Sequence, residues 1–248
     1  MKVTTKTLLA LLVLAVAGLP ALAQNLPKIV FGSDCTFPPM EFLDTNKQIV
    51  GFDVDLINAA AKAAGFEAVV KNTAWDGIFA GLEAGDYDAV LSSVTITDQR
   101  KKVMDFSVPY VNAGQVLIVR KTTEGVTELS QLAGKDVGAQ IGTTGAIEVA
   151  KHPDIKLKTY DEIGLAVDDL VIGRLEGVVV DSPTAASYVL QNPTYKAKLM
   201  IVGAPFTSEF YGVAVKKGDT KDLDLINKGL EAVIKDGTRD ALVKKWLQ

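Results

Sequence analysis

Short apolar runs that each end in a polar loop, with helical patterns between them, recur along the chain, and this alternation restricts it to an α/β architecture. Lys28-Ile29-Val30-Phe31 runs into Gly32-Ser33-Asp34-Cys35-Thr36, and Asp88 to Leu91 runs into Ser92-Ser93. Asp136 to Ala139 leads into Gln140-Ile141-Gly142-Thr143-Thr144-Gly145, and Gly177 to Val180 leads into Asp181. Between them, Asp53 is the expected N-cap of a helix with Leu56, Ile57, Ala60 and Ala64 on one face. Trp75 to Ala84 predicts a helix stopped by Gly85, and Thr97 is the expected cap of a helix to about Met104. Gly85 to Ser93 and Gly173 to Asp181 share one plan, a glycine and an acid ahead of an apolar strand with a polar end. That plan predicts two lobes of similar build, and open α/β sheets bind ligands beyond their strand ends.

Composition removes several function classes. Lys+Arg is 26 against Asp+Glu 30, a formal net charge of −4, whereas nucleic-acid binding needs a basic face. His152 is the one histidine, which disfavours histidine-based metal sites and a Ser-His-Asp triad. Cys35 is the one cysteine, so no internal disulfide can form, and it is expected as a small buried hydrophobe.

The N-terminus reads as an export signal. Lys2 and Lys6 precede the apolar run Leu8 to Leu19, too short to span a bilayer, and Ala21-Leu22-Ala23 supplies a small-x-small cleavage pattern. Residues 1–23 are therefore expected to be a signal peptide cleaved after Ala23, and the protein to be periplasmic.

The loops carry the candidate chemistry. Ser92, Ser93, Thr95 and Thr97 place hydroxyls between a strand end and a helix start, with Arg100 in that helix's first turn. Arg100 is either a solvated charge beside Lys101 and Lys102 or the guanidinium of a carboxylate clamp. Gln140, Thr143 and Thr144 form a strand–loop–helix turn without a phosphate-binding lysine. Asp181 is either a helix cap or a cleft charge suited to an ammonium group. Phe37 and Phe52 are either core lids or aromatics flanking a ligand.

Together Phe37-Pro38-Pro39-Met40-Glu41-Phe42, Gly51-Phe52-Asp53-Val54-Asp55-Leu56, Trp75-Asp76-Gly77, Ser93 to Arg100, Asp105-Phe106-Ser107-Val108-Pro109-Tyr110, Gly142-Thr143-Thr144-Gly145 and Asp236-Gly237-Thr238 resemble one family. The chain from 28 to 247 is similar to the polar amino-acid periplasmic solute-binding proteins of ABC importers. The resemblance implies two Rossmann-like lobes with mixed β-sheets, joined by a two-strand hinge around a ligand cleft. It places lobe 1 at 24–112 and 208–248, and lobe 2 at 113–207. By position it implies Arg100, Thr95 and Thr144 for a ligand α-carboxylate, Asp181 and Ser93 for its ammonium, Phe37 and Phe52 beside its side chain, and Asp34 at the side-chain end. Val180 and Gly145 depart from some glutamine and basic amino-acid binders, which leaves the side chain open.

The expected function is capture of a polar or cationic L-amino acid, with arginine, lysine or glutamine favoured, for delivery to a membrane permease. A monomer without cofactor, metal or enzymatic activity is expected. The alternative is a lyase like the arogenate or prephenate dehydratases, but Thr184 stands where those relatives carry a pocket glutamate. A receptor-borne sensor domain is a third class.

Overall fold

The structure, a computed structural model, describes residues 26–248, so the expected signal peptide and its cleavage after Ala23 lie outside the described residues. From the N-terminal end, β1 (Lys28–Ser33) leads through a ribbon of β2 (Thr36–Phe37), β3 (Glu41–Leu43) and β4 (Ile49–Val50) into α1 (Phe52–Ala64). β5 (Glu67–Asn72), α2 (Ile78–Ala84), β6 (Ala89–Val90), α3 (Asp98–Lys101), β7 (Met104–Phe106), β8 (Val111–Ala113) and β9 (Gln115–Arg120) follow. β10 (Asp136–Gln140), α4 (Thr144–Ala150), β11 (Lys156–Tyr160), α5 (Ile163–Val171), β12 (Gly177–Asp181), α6 (Ser182–Ala186), α7 (Pro193–Lys196) and β13 (Leu199–Val202) come next. The chain returns by β14 (Glu209–Tyr211) to β15 (Ala214–Lys216), α8 (Thr220–Lys235) and α9 (Thr238–Trp246).

Two five-stranded mixed sheets result, in the orders β5-β1-β6-β15-β7 and β11-β10-β12-β9-β13. In each, the first three strands are parallel and the fourth is antiparallel to both neighbours. The similar segments ending at Ser93 and Asp181 supply the third strand of each, so both lobes deliver polar residues at the same kind of strand end. Between the sheets, β8 and β14 pair antiparallel, from Val111 opposite Tyr211 to Ala113 opposite Glu209.

Packing explains where these elements lie. β12 is buried at every position, which accounts for its unbroken apolar sequence. α1 turns Leu56, Ile57, Ala60 and Ala64 to the core at helical spacing. α8 crosses it so closely that a Cβ at Gly229 would stand 2.4 Å from the Ala60 carbonyl oxygen.

Three local expectations are corrected. The N-cap of α1 is Gly51, at φ 136, and Asp53 lies inside the first turn with its side chain directed elsewhere. A Cβ at Gly51 would meet the Met40 carbonyl oxygen at 2.2 Å, so only glycine brings the ribbon this close to the helix start. α2 starts at Ile78, because Gly77 takes the left-handed conformation and leaves Trp75 in the loop. The helix capped by Thr97 stops at Lys101, since Met104 to Phe106 pair with β15 and Met104 is buried.

Cys35 is buried, and desolvation pushes its thiol up to about 11. Among the described residues no helix is long and apolar enough to cross a membrane.

Candidate functional site

The loops at the strand ends of the two sheets meet around a cavity. Of the residues expected to form a site, Asp34, Phe37, Ser92, Ser93, Thr95, Arg100, Gln140, Thr143, Thr144 and Asp181 all line it. Phe52 does not. It is fully buried in the core, stacked on Tyr110 with ring centroids 6.3 Å apart, so its expected place beside a ligand is corrected. As the first residue of α1 it faces inward, and the loop before α2 brings Trp75 to the cavity instead.

Arg100 is carried by α3, whose cap Thr97 accepts the Arg100 backbone N–H at 3.1 Å. Its guanidinium donates to the Thr95 carbonyl at 2.9 Å and, across the cleft, to the Gly142 carbonyl at 3.4 Å. It lies over the rings of Trp75 and Phe79, at 5.5 and 5.1 Å from their centroids. Burial lowers its pKa to about 10 against the opposing pull of Asp181 and Glu209, so it stays a cation at neutral pH. It forms no ion pair with a protein carboxylate within 4.0 Å among the described residues. This is the charge a clamp would offer to an incoming carboxylate.

Acids outnumber that cation. Asp181 is 7% exposed and occupies the cap position before α6 without making a side-chain cap bond; its Oδ1 accepts from Tyr211 O–H at 2.7 Å. Desolvation raises its pKa to about 6. Asp34 accepts from Thr36 Oγ1 at 2.7 Å and from Gln140 Nε2 at 2.8 Å, the second bond crossing the cleft. Burial raises its pKa as well.

Glu41 was not singled out by the sequence, yet it is fully buried and lines the cavity. Its two oxygens accept from the hydroxyls of Ser92 at 3.1 Å and Ser93 at 3.2 Å. Asp53, behind it, accepts from Ser93 N–H at 3.0 Å and Tyr110 O–H at 2.8 Å, while its Oδ1 receives no donor. Burial and the neighbouring Asp53 hold Glu41 well above the usual carboxylate range. Ser93 holds φ 49, a left-handed conformation uncommon for serine, fixed by these bonds.

On the other side, Thr143 caps α4: it accepts Ala146 N–H at 3.2 Å and donates to the Gln140 carbonyl at 2.7 Å. Thr95 and Thr144 approach to 3.4 Å, and both donate to Glu209. Gln115 Nε2 donates to Thr144 at 3.1 Å. Glu41, Trp75, Gln115, Glu209 and Tyr211 are thus the participants the sequence reading missed. An acid inside the otherwise apolar run Pro39 to Leu43 was the available signal for Glu41. Among the described residues no group of three or more His, Cys, Asp and Glu is arranged to hold a metal ion.

The family model of the bacterial extracellular solute-binding proteins, family 3, matches residues 29–248. The chain is 39% identical over 217 residues to a protein named probable histidine-binding protein from Neisseria gonorrhoeae, covering 86% of this chain and 81% of that one. A solved structure of an ancestral arginine-binding protein bound to arginine is 42% identical, with a TM-score of 0.84 over 89% of this chain and 98% of its own. The ancestral amino acid-binding protein AncCDT-1, described as a precursor of cyclohexadienyl dehydratase, is 37% identical with a TM-score of 0.82, over 89% and 96% of the two chains.

Proposed function

This chain belongs to the bacterial extracellular solute-binding proteins of family 3, and from that premise we propose that it captures a cationic L-amino acid, arginine or lysine ahead of glutamine, in the cleft between its lobes. The observation that carries the reading is the charge balance. Asp34, Glu41 and Asp181 line the cavity and Asp53 stands behind them, all with raised pKa values, against the single guanidinium of Arg100. Desolvation is the first cause of each shift, and a ligand with two cationic groups and one carboxylate would bring net positive charge to these buried acids. Arg100 takes the carboxylate, with Thr95 and Thr144 beside it. Asp181 and Ser93 take the α-ammonium. The side chain runs along Phe37 and Trp75 toward Asp34, while Gln140, Ser92 and Thr143 complete the wall.

A glutamate ligand would set its own charge against Asp34, which costs more as closure excludes water. The lyase alternative is less supported at the one position where those relatives carry a pocket glutamate. Thr184, where an acid would be needed, is fully buried, has a hydroxyl without a partner, and lies outside the cavity lining. The protein would work in the periplasm as a monomer and hand its ligand to the membrane permease of an ATP-driven importer.

The test is calorimetry across the twenty amino acids after removal of any ligand carried over from expression. Arginine or lysine should bind with a Kd of about 1 µM or tighter. Heat from neither, or stronger binding of glutamate, overturns the reading.

A further inference from the structure

Glu209 lies on β14, one of the two strands that connect the lobes, and it does not line the cavity. Three hydroxyls donate to its carboxylate: Thr95 at 2.9 Å and Thr144 at 2.7 Å to Oε2, and Thr207 at 2.7 Å to Oε1. Thr95 follows β6 of the first sheet, whereas Thr144 opens α4 beside the second. A single carboxylate oxygen therefore receives one hydroxyl from each wall of the cleft. The direction of the second bond is fixed, because Thr144 Oγ1 already accepts from Gln115 Nε2 and directs its own hydrogen to Glu209.

The two sides of this junction are not equivalent. Thr95 bridges Tyr211, with Ile96 N–H donating to the Phe210 carbonyl at 2.8 Å and Gly212 N–H to the Val94 carbonyl at 3.0 Å. Glu209 is thereby tied to the first lobe through the backbone. On the second-lobe side the ties run through Gln115, whose Nε2 donates to Thr144 and whose backbone N–H donates to Thr207 Oγ1, so the Thr144–Glu209 bond is the direct link from α4 to the connecting strand.

We propose that Glu209 is a positioning residue for ligand capture, a carboxylate on the connecting strand that latches Thr144 to Thr95 when the cleft closes and so sets how long a ligand is held. A bond from a hydroxyl to an ionised carboxylate is among the stronger hydrogen bonds in a water-poor site. It forms only in the closed arrangement, so it slows release without contributing to encounter. The role rests on the binding function but not on which amino acid is bound.

The test is stopped-flow release, followed by tryptophan fluorescence, of whichever amino acid binds most tightly in the calorimetric screen. Glu209→Ala should raise koff about tenfold, with kon changed less than about threefold. Glu209→Gln keeps an oxygen that both threonines can reach and should stay within about threefold of the parent rate. In a Thr144→Val background, which cuts the same bond from the other side, Glu209→Ala should add less than about twofold. A koff unchanged in Glu209→Ala, or raised by the same factor in both backgrounds, overturns the latch. The absence of any bound amino acid overturns the functional reading first, and the two failures are told apart by the screen itself.

Discussion

Asp53 and Asp181 enter the closed protein as acids that burial has pushed from 3.8 to about 6. Each group's folded pKa is raised, so its contribution to stability is complete below about 3.8 and is lost as pH rises through about 6. The protein without ligand should therefore be less stable at pH 7 than at pH 5 from these two groups, and an added cation should reverse the trend. Arginine binding favours the ionised forms, releases protons near pH 6, and should weaken as pH falls below that value. Calorimetry at pH 5 and 7.5, in buffers of different ionisation enthalpy, checks both effects; equal affinity with no proton release would remove the two acids from the site. Arg100→Ala should cost about 2–5 kcal/mol of binding, since a desolvated carboxylate loses its charged partner. Unchanged affinity in that variant would return Arg100 to the surface charges. Asp34→Asn, compared on arginine, glutamine and glutamate, should weaken arginine and leave glutamate equal or improved, and equal affinities for all three before and after would take Asp34 out of the pocket.

At the scale of elements, the close crossing of α1 and α8 is the exposed weakness of the first lobe. Gly229→Ala places a methyl against the Ala60 backbone and should cost about 1–3 kcal/mol in denaturant unfolding, with ligand affinity unchanged in the folded fraction. Elements also decide what could be read from sequence. Strand–loop–helix order was legible because each strand is apolar and each loop is polar. Most of the site followed, since in such a sheet the residues after the strands are the residues of the cleft. Phe52 and Trp75 were not distinguishable by residue type, because an aromatic in a loop before a helix suits a core or a cleft equally. What separates them is one helix start: α1 begins at Phe52 and turns it into the core, while α2 begins three residues after Trp75 and leaves the buried indole at the cavity wall. Glu41, Gln115 and Glu209 stayed hidden for another reason. Glu41 and Glu209 lie on three-residue strands in the ribbon and the lobe connection, Gln115 opens β9, and the role of each comes from partners 29 to 114 residues away.

For the molecule as a whole, the cleft makes stability and binding one quantity. Cross-cleft bonds between Asp34 and Gln140 and between Arg100 and Gly142 join lobes that each have their own sheet. A ligand seated between them stabilises both, so raising arginine to about 100 times its Kd should add about 2.7 kcal/mol to unfolding, seen as a rising Tm. A midpoint indifferent to arginine would mean that the lobes close without it.

The sheet order also sets a sequence of events in time. The strands of the second sheet all lie between Gln115 and Val202, one uninterrupted stretch of chain. The first sheet is different, because β15 sits between β6 and β7 and is the only strand joining them. β7, made early, has no place in a sheet until Ala214 to Lys216 arrive, and α1 has no cover until α8 follows. A chain emerging N-terminus first must therefore hold its first-sheet strands unfinished, with apolar edges open, while the middle stretch can already assemble. The residues that complete the first lobe, from Ala214 to Trp246, follow those of the second.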